Sequence, residues 1–283
     1  MRRMWAKTAG AIWLLPMATA CTTAAVTEPS SVAPTNPGGT AVEATVTQTS
    51  EPIDLLLDHF DIESIVVPRG RAFTRQVALM IGNPNDEELE RLVSAVEVGF
   101  DAERMRQDVA ALMLEEAPGG YVEQVADWVD GGASADVDQQ ASAYQPNVTL
   151  EEWLDTYTDE PPSEERIRLV ARWSEARQEG TFFLLLEQAL DEAAHTVWQA
   201  IRPNARDFDS LSGNALFARL NQSSAAAVLT ALHAHEPISD DLLLKSTLEY
   251  ESEAGQWYVE IYQIAVAQAL RAAGLRVAET LRR

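Results

Sequence analysis

Thr181 to Ile201, TFFLLLEQALDEAAHTVWQAI, is the stretch that decides the fold class. Phe182, Leu186, Leu190, Ala193, Val197 and Ile201 recur there at intervals of three and four, the period of an α-helix with one buried face. Gly180, just ahead, reads as the C′ residue of a preceding helix that carries Ile167, Val170, Ala171 and Trp173. Pro203 closes the stretch, because it has no N–H to continue a helix.

The same period extends in both directions. Downstream, Leu211, Leu216, Phe217 and Leu220 predict one helix and Ala225 to His235 another, stopped by Pro237. Ser239 caps the next, with Asp240 and Asp241 suited to its N-terminus. A final helix carries Tyr258, Ile261, Tyr262, Ala265, Leu270, Val277 and Leu281 on one stripe, with Gln256, Glu260, Gln263 and Arg271 opposite. Upstream, Leu55, Leu56, Phe60 and Ile65 mark one short segment, and Phe73, Val77, Met80 and Ile81 a second. A third helix starts at Asp86 and a fourth is capped by Asp101. A fifth holds Tyr121, Val125 and Trp128 before Gly131-Gly132, and Thr149 with Glu152 forms a capping box. No alternation of strand length occurs, so the expectation is an all-α multi-helix bundle. It is divided into an N-terminal helical half over 53–147 and a C-terminal half over 148–283.

The N-terminus has a different composition. Arg2, Arg3 and Lys7 precede a short apolar run from Ala9 to Met17, then Ala18-Thr19-Ala20 and the chain's one cysteine, Cys21. That order predicts an export signal over 1–20, its apolar run too short for a stable membrane span. The junction resembles the lipobox of bacterial lipoproteins, although Ala18 stands where that pattern favours Leu. The resemblance implies a diacylglyceryl group on the Cys21 sulfur, palmitate-type acylation, and anchorage to the outer (or inner) membrane facing the periplasm. One cysteine permits no internal disulfide. Residues 22–52, rich in Thr, Ser, Ala, Val and Pro, read with Cys21 as a lipidated, disordered tether spanning roughly 30 Å.

Once Arg2, Arg3 and Lys7 leave with the signal, 18 basic residues face 44 acidic ones, a balance of −26. Lys245 is then the sole lysine. Such a surface excludes nucleic-acid binding as a main activity and leaves lipid contact to Cys21.

Leu248-Glu-Tyr250-Glu-Ser-Glu-Ala-Gly255-Gln-Trp-Tyr258 resembles the C-terminal motif of an exported all-helical bacterial family known as a domain of unknown function (family number 2059), over about sixty residues. Tyr250, Gly255 and Tyr258 carry the likeness, which implies a helical fold and an exported location. A fainter echo at Val125-Ala-Asp-Trp128 suggests two related helical halves.

No phosphate loop, nucleophile elbow or His-Glu-x-x-His motif is present. Glu192 and His195 share a helix face at i, i+3, as in bundle metal sites, but a second such pair is missing. His233 and His235 lie about 200° apart on a continuous helix, so chelation requires the helix to end there. The Glu251-Ser252 step is similar to the start of lytic transglycosylase sites, where a glutamate acts as general acid on peptidoglycan. That role demands a buried carboxyl of raised pKa. With no complete metal or catalytic set and no cofactor implied, the reading is a non-catalytic binding or assembly module of the envelope. Its expected partners are the membrane through Cys21 and an envelope protein or peptidoglycan. The alternative is a peptidoglycan-cleaving enzyme using Glu251.

Overall fold

The computed structural model describes residues 50–59, 62–82, 84–144, 148–159, 161–202 and 213–283. The signal, Cys21 and most of the tether therefore lie outside the described residues, as do Phe60, Pro203 and Leu211. Among the described residues the fold is entirely helical, and no helix is long and apolar enough to cross a membrane.

The helices are α1 (Ser50–His59), α2 (Ile62–Ile81), α3 (Asp86–Gly99), α4 (Ala102–Glu115), α5 (Tyr121–Gly131) and α6 (Ala133–Ala143). They continue as α7 (Leu150–Asp159), α8 (Glu164–Ala176), α9 (Glu179–Ile201), α10 (Gly213–Ala234), α11 (Asp240–Tyr250) and α12 (Glu253–Arg282). Their starts follow local chemistry. The Asn85 side chain accepts from the Glu88 N–H while Glu88 reaches back to Asn85, Asp101 caps α4, Ser239 caps α11 and Ser252 caps α12. Thr149 and Glu152 close the expected box at α7.

Several boundaries differ from the expectation. The segment expected from Leu55 to Ile65 is divided between α1 and α2, and α2 runs on through Pro68 to take in the segment expected around Phe73. The two helices expected between 211 and 235 are one, α10. Helix α6 was not anticipated, because its sequence offers Val137 as its sole large aliphatic residue. Gly180 is no C′ residue. The turn is made by Gln178, whose φ of 51° is left-handed, and Gly180 is the second residue of α9, against Ser224 of α10, with no space for a Cβ.

Helix α12 is the axis of the molecule. It contacts α3, α4, α5, α9 and α11, and between its end residues, from Ala254 to Glu279, the exposed positions form one thin line, Glu260, Ile264, Gln268, Leu275 and Glu279. Gln263, expected on the polar face, is buried. A helix covered on nearly every side needs small residues where neighbours cross. Gly274 meets Ala193 of α9 so closely that an added Cβ would lie 2.5 Å from the alanine methyl.

Two main apolar clusters result, besides a small one of Ala176, Tyr250 and Val259. The larger joins α1–α5, α9 and α12, around Leu56, Phe73, Met105, Val109, Leu186, Tyr262 and Leu270. The smaller joins α6, α8, α10 and α11 around Val137, Val170, Trp173, Leu232 and Leu243. The expected halves on either side of residue 147 do not correspond to the two main clusters, since each draws on both.

Candidate functional site

Where the clusters meet, buried and partly buried polar and aromatic groups from seven helices pack together. His59 ends α1, Trp128 projects from α5 and Asp138 from α6. Trp173 comes from α8, Glu179 opens α9, Tyr250 closes α11 and Tyr258 lies in the first turns of α12. Arg177 enters from the α8–α9 junction, with its guanidinium 4.4 Å from the Trp173 ring centre and 5.3 Å from that of Tyr250. Its carboxylate neighbours are Glu179 at 3.5 Å and Asp138 at 3.7 Å. Burial opposes its charge, but Tyr250, Glu179 and Asp138 outweigh that and hold its pKa above the usual value.

Both side chains turn inward because one left-handed residue, Gln178, separates them. That geometry costs a residue with a Cβ about 1 kcal/mol. Two amides of α12, half-buried Gln256 and buried Gln263, hold it in place. Gln256 Nε2 donates to the carbonyls of Ala176 (3.3 Å) and Tyr250 (2.8 Å), and Gln263 Nε2 to those of Arg177 (3.1 Å) and Gln178 (3.3 Å).

His59 completes the network. Its Nδ1 lies 3.1 Å from Asp138 Oδ2 and its Nε2 3.0 Å from the Tyr250 hydroxyl. Burial lowers its pKa to about 4, with Arg177 adding to the shift and Asp138 opposing it. The ring is therefore neutral, donating from Nδ1 to Asp138 and accepting the Tyr250 proton at Nε2. Burial likewise raises the pKa of Tyr250, Tyr258 and Glu179, the last accepting 2.9 Å from Ser174 Oγ. A Tyr-His-Asp relay in a cleft would serve general-base chemistry. Here Tyr250 and Tyr258 expose no surface, which leaves no room for a reacting atom beside them. Nearby, Glu249 caps the N-terminus of α6 from α11, accepting from the N–H groups of Ala133 and Ser134, both at 2.8 Å.

Two concavities flank this seam. On one side Arg177, Glu179 and Gln263 line a cavity of about 190 Å³ together with Arg69 and several apolar side chains. On the other an open groove of about 490 Å³ runs between α7, the start of α8, the end of α10 and the start of α11. Trp153 and Tyr157 form its aromatic wall, with ring centres 4.9 Å apart. Thr156, Arg166, Glu236, Ser239 and Asp240 supply a polar rim. Arg166 is fixed by Asp240 (2.5 Å) and by the His235 carbonyl (2.6 Å), and Tyr144 donates to Glu236 at 2.8 Å.

The residues singled out in the sequence fall in four places. His233 packs edgewise beside Trp153, 5.6 Å between ring centres, with Nε2 3.2 Å from the Val148 carbonyl. His235 lies over Trp173 at 4.6 Å with Nδ1 on the Ala231 carbonyl, and burial lowers its pKa. The two histidines therefore serve different neighbours behind the groove. His195 is buried against Trp198, while Glu192 pairs with Arg271 across to α12. Among the described residues no three His, Cys, Asp or Glu side chains converge on a metal position. Glu251 sits at the corner between α11 and α12, gripped at both oxygens by Arg172 (2.7 and 2.6 Å). That pairing lowers its pKa, the opposite of what a general acid needs. Sequence reasoning did not single out His59, Asp138 or Arg177 as site residues, because no spacing links them.

No family model matches the chain, and neither a curated protein nor a solved structure matches it.

Proposed function

We propose that this chain is a membrane-tethered helical lipoprotein facing the periplasm, held to the outer (or inner) membrane through acylated Cys21. On this reading it is a member of the exported helical family that its C-terminal motif resembles. It acts as a non-catalytic binding module of the envelope, and the groove walled by Trp153 and Tyr157 is its binding face. That groove is the observation that carries the reading. Paired aromatic faces stack on the apolar faces of sugar rings, and a rim of acid, hydroxyl and guanidinium groups matches ring hydroxyls. Peptidoglycan glycan strands offer both features within the compartment the signal predicts. The lytic reading finds less support, because Arg172 keeps Glu251 ionised.

Purified sacculi should co-sediment the protein with no loss of turbidity, and Trp153→Ala should return it to the supernatant. Sedimentation unaffected by Trp153→Ala, or turbidity loss that disappears in Glu251→Gln, overturns the binding reading. In cells, labelled palmitate should enter the wild type and not Cys21→Ser.

A further inference from the structure

The cavity beside the seam has an unbalanced charge. Of its two guanidiniums, Arg177 is matched by Asp138 and Glu179. Among the described residues Arg69, half-buried on α2, has no ion pair within 4 Å, and its Nε is buried with no hydrogen-bond partner. Glu187 attracts it from a distance but is itself paired with Arg219 at 3.4 Å. A guanidinium with a buried, unsatisfied donor is costly unless something completes it. The remaining walls are Ile65, Phe182, Leu186 and Val259, all apolar, and Tyr262. At the rim Phe183 keeps 46% of its surface exposed, although a helix of this composition has buried positions on offer.

From this geometry we infer that the cavity binds a small monocarboxylate with a compact apolar body, its carboxylate on Arg69 and its body against Phe182, Leu186 and Val259. Size sets the class. A cavity of about 150 Å³ lined by aliphatic and aromatic side chains accepts benzene, so 190 Å³ holds one ring or a short branched alkyl group plus a carboxylate and excludes a long acyl chain. Charge sets the head group, since a planar guanidinium fork matches a carboxylate oxygen for oxygen and a neutral amide does not. Phe183 closes over the bound body at the mouth. This site is independent of the proposed glycan groove and stands or falls separately from it.

Titration calorimetry of the full chain with benzoate, benzamide and octanoate tests it. Benzoate should bind one to one, at least tenfold tighter than benzamide, which has the same shape and no charge. Octanoate should bind more weakly than benzoate. Arg69→Gln should weaken benzoate by tenfold or more with an unchanged circular dichroism spectrum. Ile65→Trp, which fills the cavity from a half-buried wall position, should abolish binding while sedimentation with sacculi persists. Absence of saturable benzoate binding, equal affinity for benzamide, or an Arg69→Gln variant that binds like the wild type would each overturn the assignment.

Discussion

Arg177 in the seam and Arg166 at the groove are built from the same parts: a guanidinium, an aspartate and a neighbouring aromatic wall. Their side chains are almost equally covered, with exposures of 14% and 13%. The difference lies in what surrounds the partners. Asp138 and Glu179 keep 33% and 23% of their side chains exposed, whereas Asp240 keeps 60% of its side chain in water. In the seam every interaction is spent within the fold and joins two apolar clusters. At the groove the same chemistry is held open at a surface, with Trp153 and Tyr157 half-exposed beside it. Residue type alone therefore does not mark a binding site here; the solvation of the partner does.

The largest effects should follow from breaking the dry member of this pair. Arg177→Met leaves the partly exposed Asp138 and Glu179 without their cation and should cost about 3 kcal/mol, the lower end of the usual penalty for breaking a buried pair. Trp173, 1% exposed and donating from Nε1 to Ser246 Oγ at 3.1 Å, belongs to the same tier. Its replacement by Ala should cost about 3–5 kcal/mol in chemical denaturation. If either variant melts like the wild type, the seam does not hold the clusters together.

The second tier is a pH effect. His59 titrates near 6.5 when unfolded and at about 4 when folded, because burial disfavours its charged form. Above pH 6.5 both states leave it neutral, and its contribution is fully present. As pH falls from 6.5 to 4 the unfolded chain takes up a proton that the folded chain refuses, so stability declines, by up to about 3 kcal/mol in total. His59→Gln removes that slope. Urea unfolding of both proteins across this range should show curves that converge toward pH 4, and parallel curves would refute the neutral, buried ring.

The groove should respond differently. Trp153→Ala removes a half-exposed ring beside Tyr157 and His233 and should cost only about 1 kcal/mol, while binding to sacculi falls sharply. The contrast with Trp173→Ala is the sharpest form of the comparison: one tryptophan matters for folding and the other for recognition.

How much of this was legible in the sequence follows from the same distinction. The long helices declared themselves because α9 carries an uninterrupted apolar period, and caps such as Asp101, Thr149 and Ser239 act within three residues. Helix α6 was silent because its packing rests on Val137 and its N-terminus is capped from Glu249, 115 residues further along. Gly180 misled because a glycine between two apolar stripes suggests a C-cap. Its real cause is the close approach of Ser224, a tertiary fact. Gln263 looked like a surface residue on a helical wheel, but its amide is buried to catch carbonyls of the α8–α9 turn. The seam joins positions 59, 138 and 250, on three different helices, with 177 in the α8–α9 turn, and no local pattern encodes such a meeting. The groove is partly visible in the sequence: His233 and His235 stand out as a feature of chemical interest, and they pack behind its wall, on Trp153 and Trp173.

The smallest effect is expected at Glu251, where the comparison reaches its wet extreme. Arg172 holds both carboxylate oxygens, a geometry as good as any in the molecule, yet the pair lies on the surface. Water solvates both charges in the unfolded chain as well, so the ion pair replaces one favourable environment with another. Glu251→Gln should leave the melting temperature unchanged, and Arg172→Ala likewise. The substitutions also separate the two functional readings. A glutamate that protonates a glycosidic oxygen is irreplaceable by glutamine, whereas one that merely decorates the corner between α11 and α12 is dispensable for sacculus binding. Unaltered sedimentation and turbidity in Glu251→Gln would place this carboxylate outside both the fold's stability and its recognition, the counterpart of Arg177, whose charge the interior cannot do without.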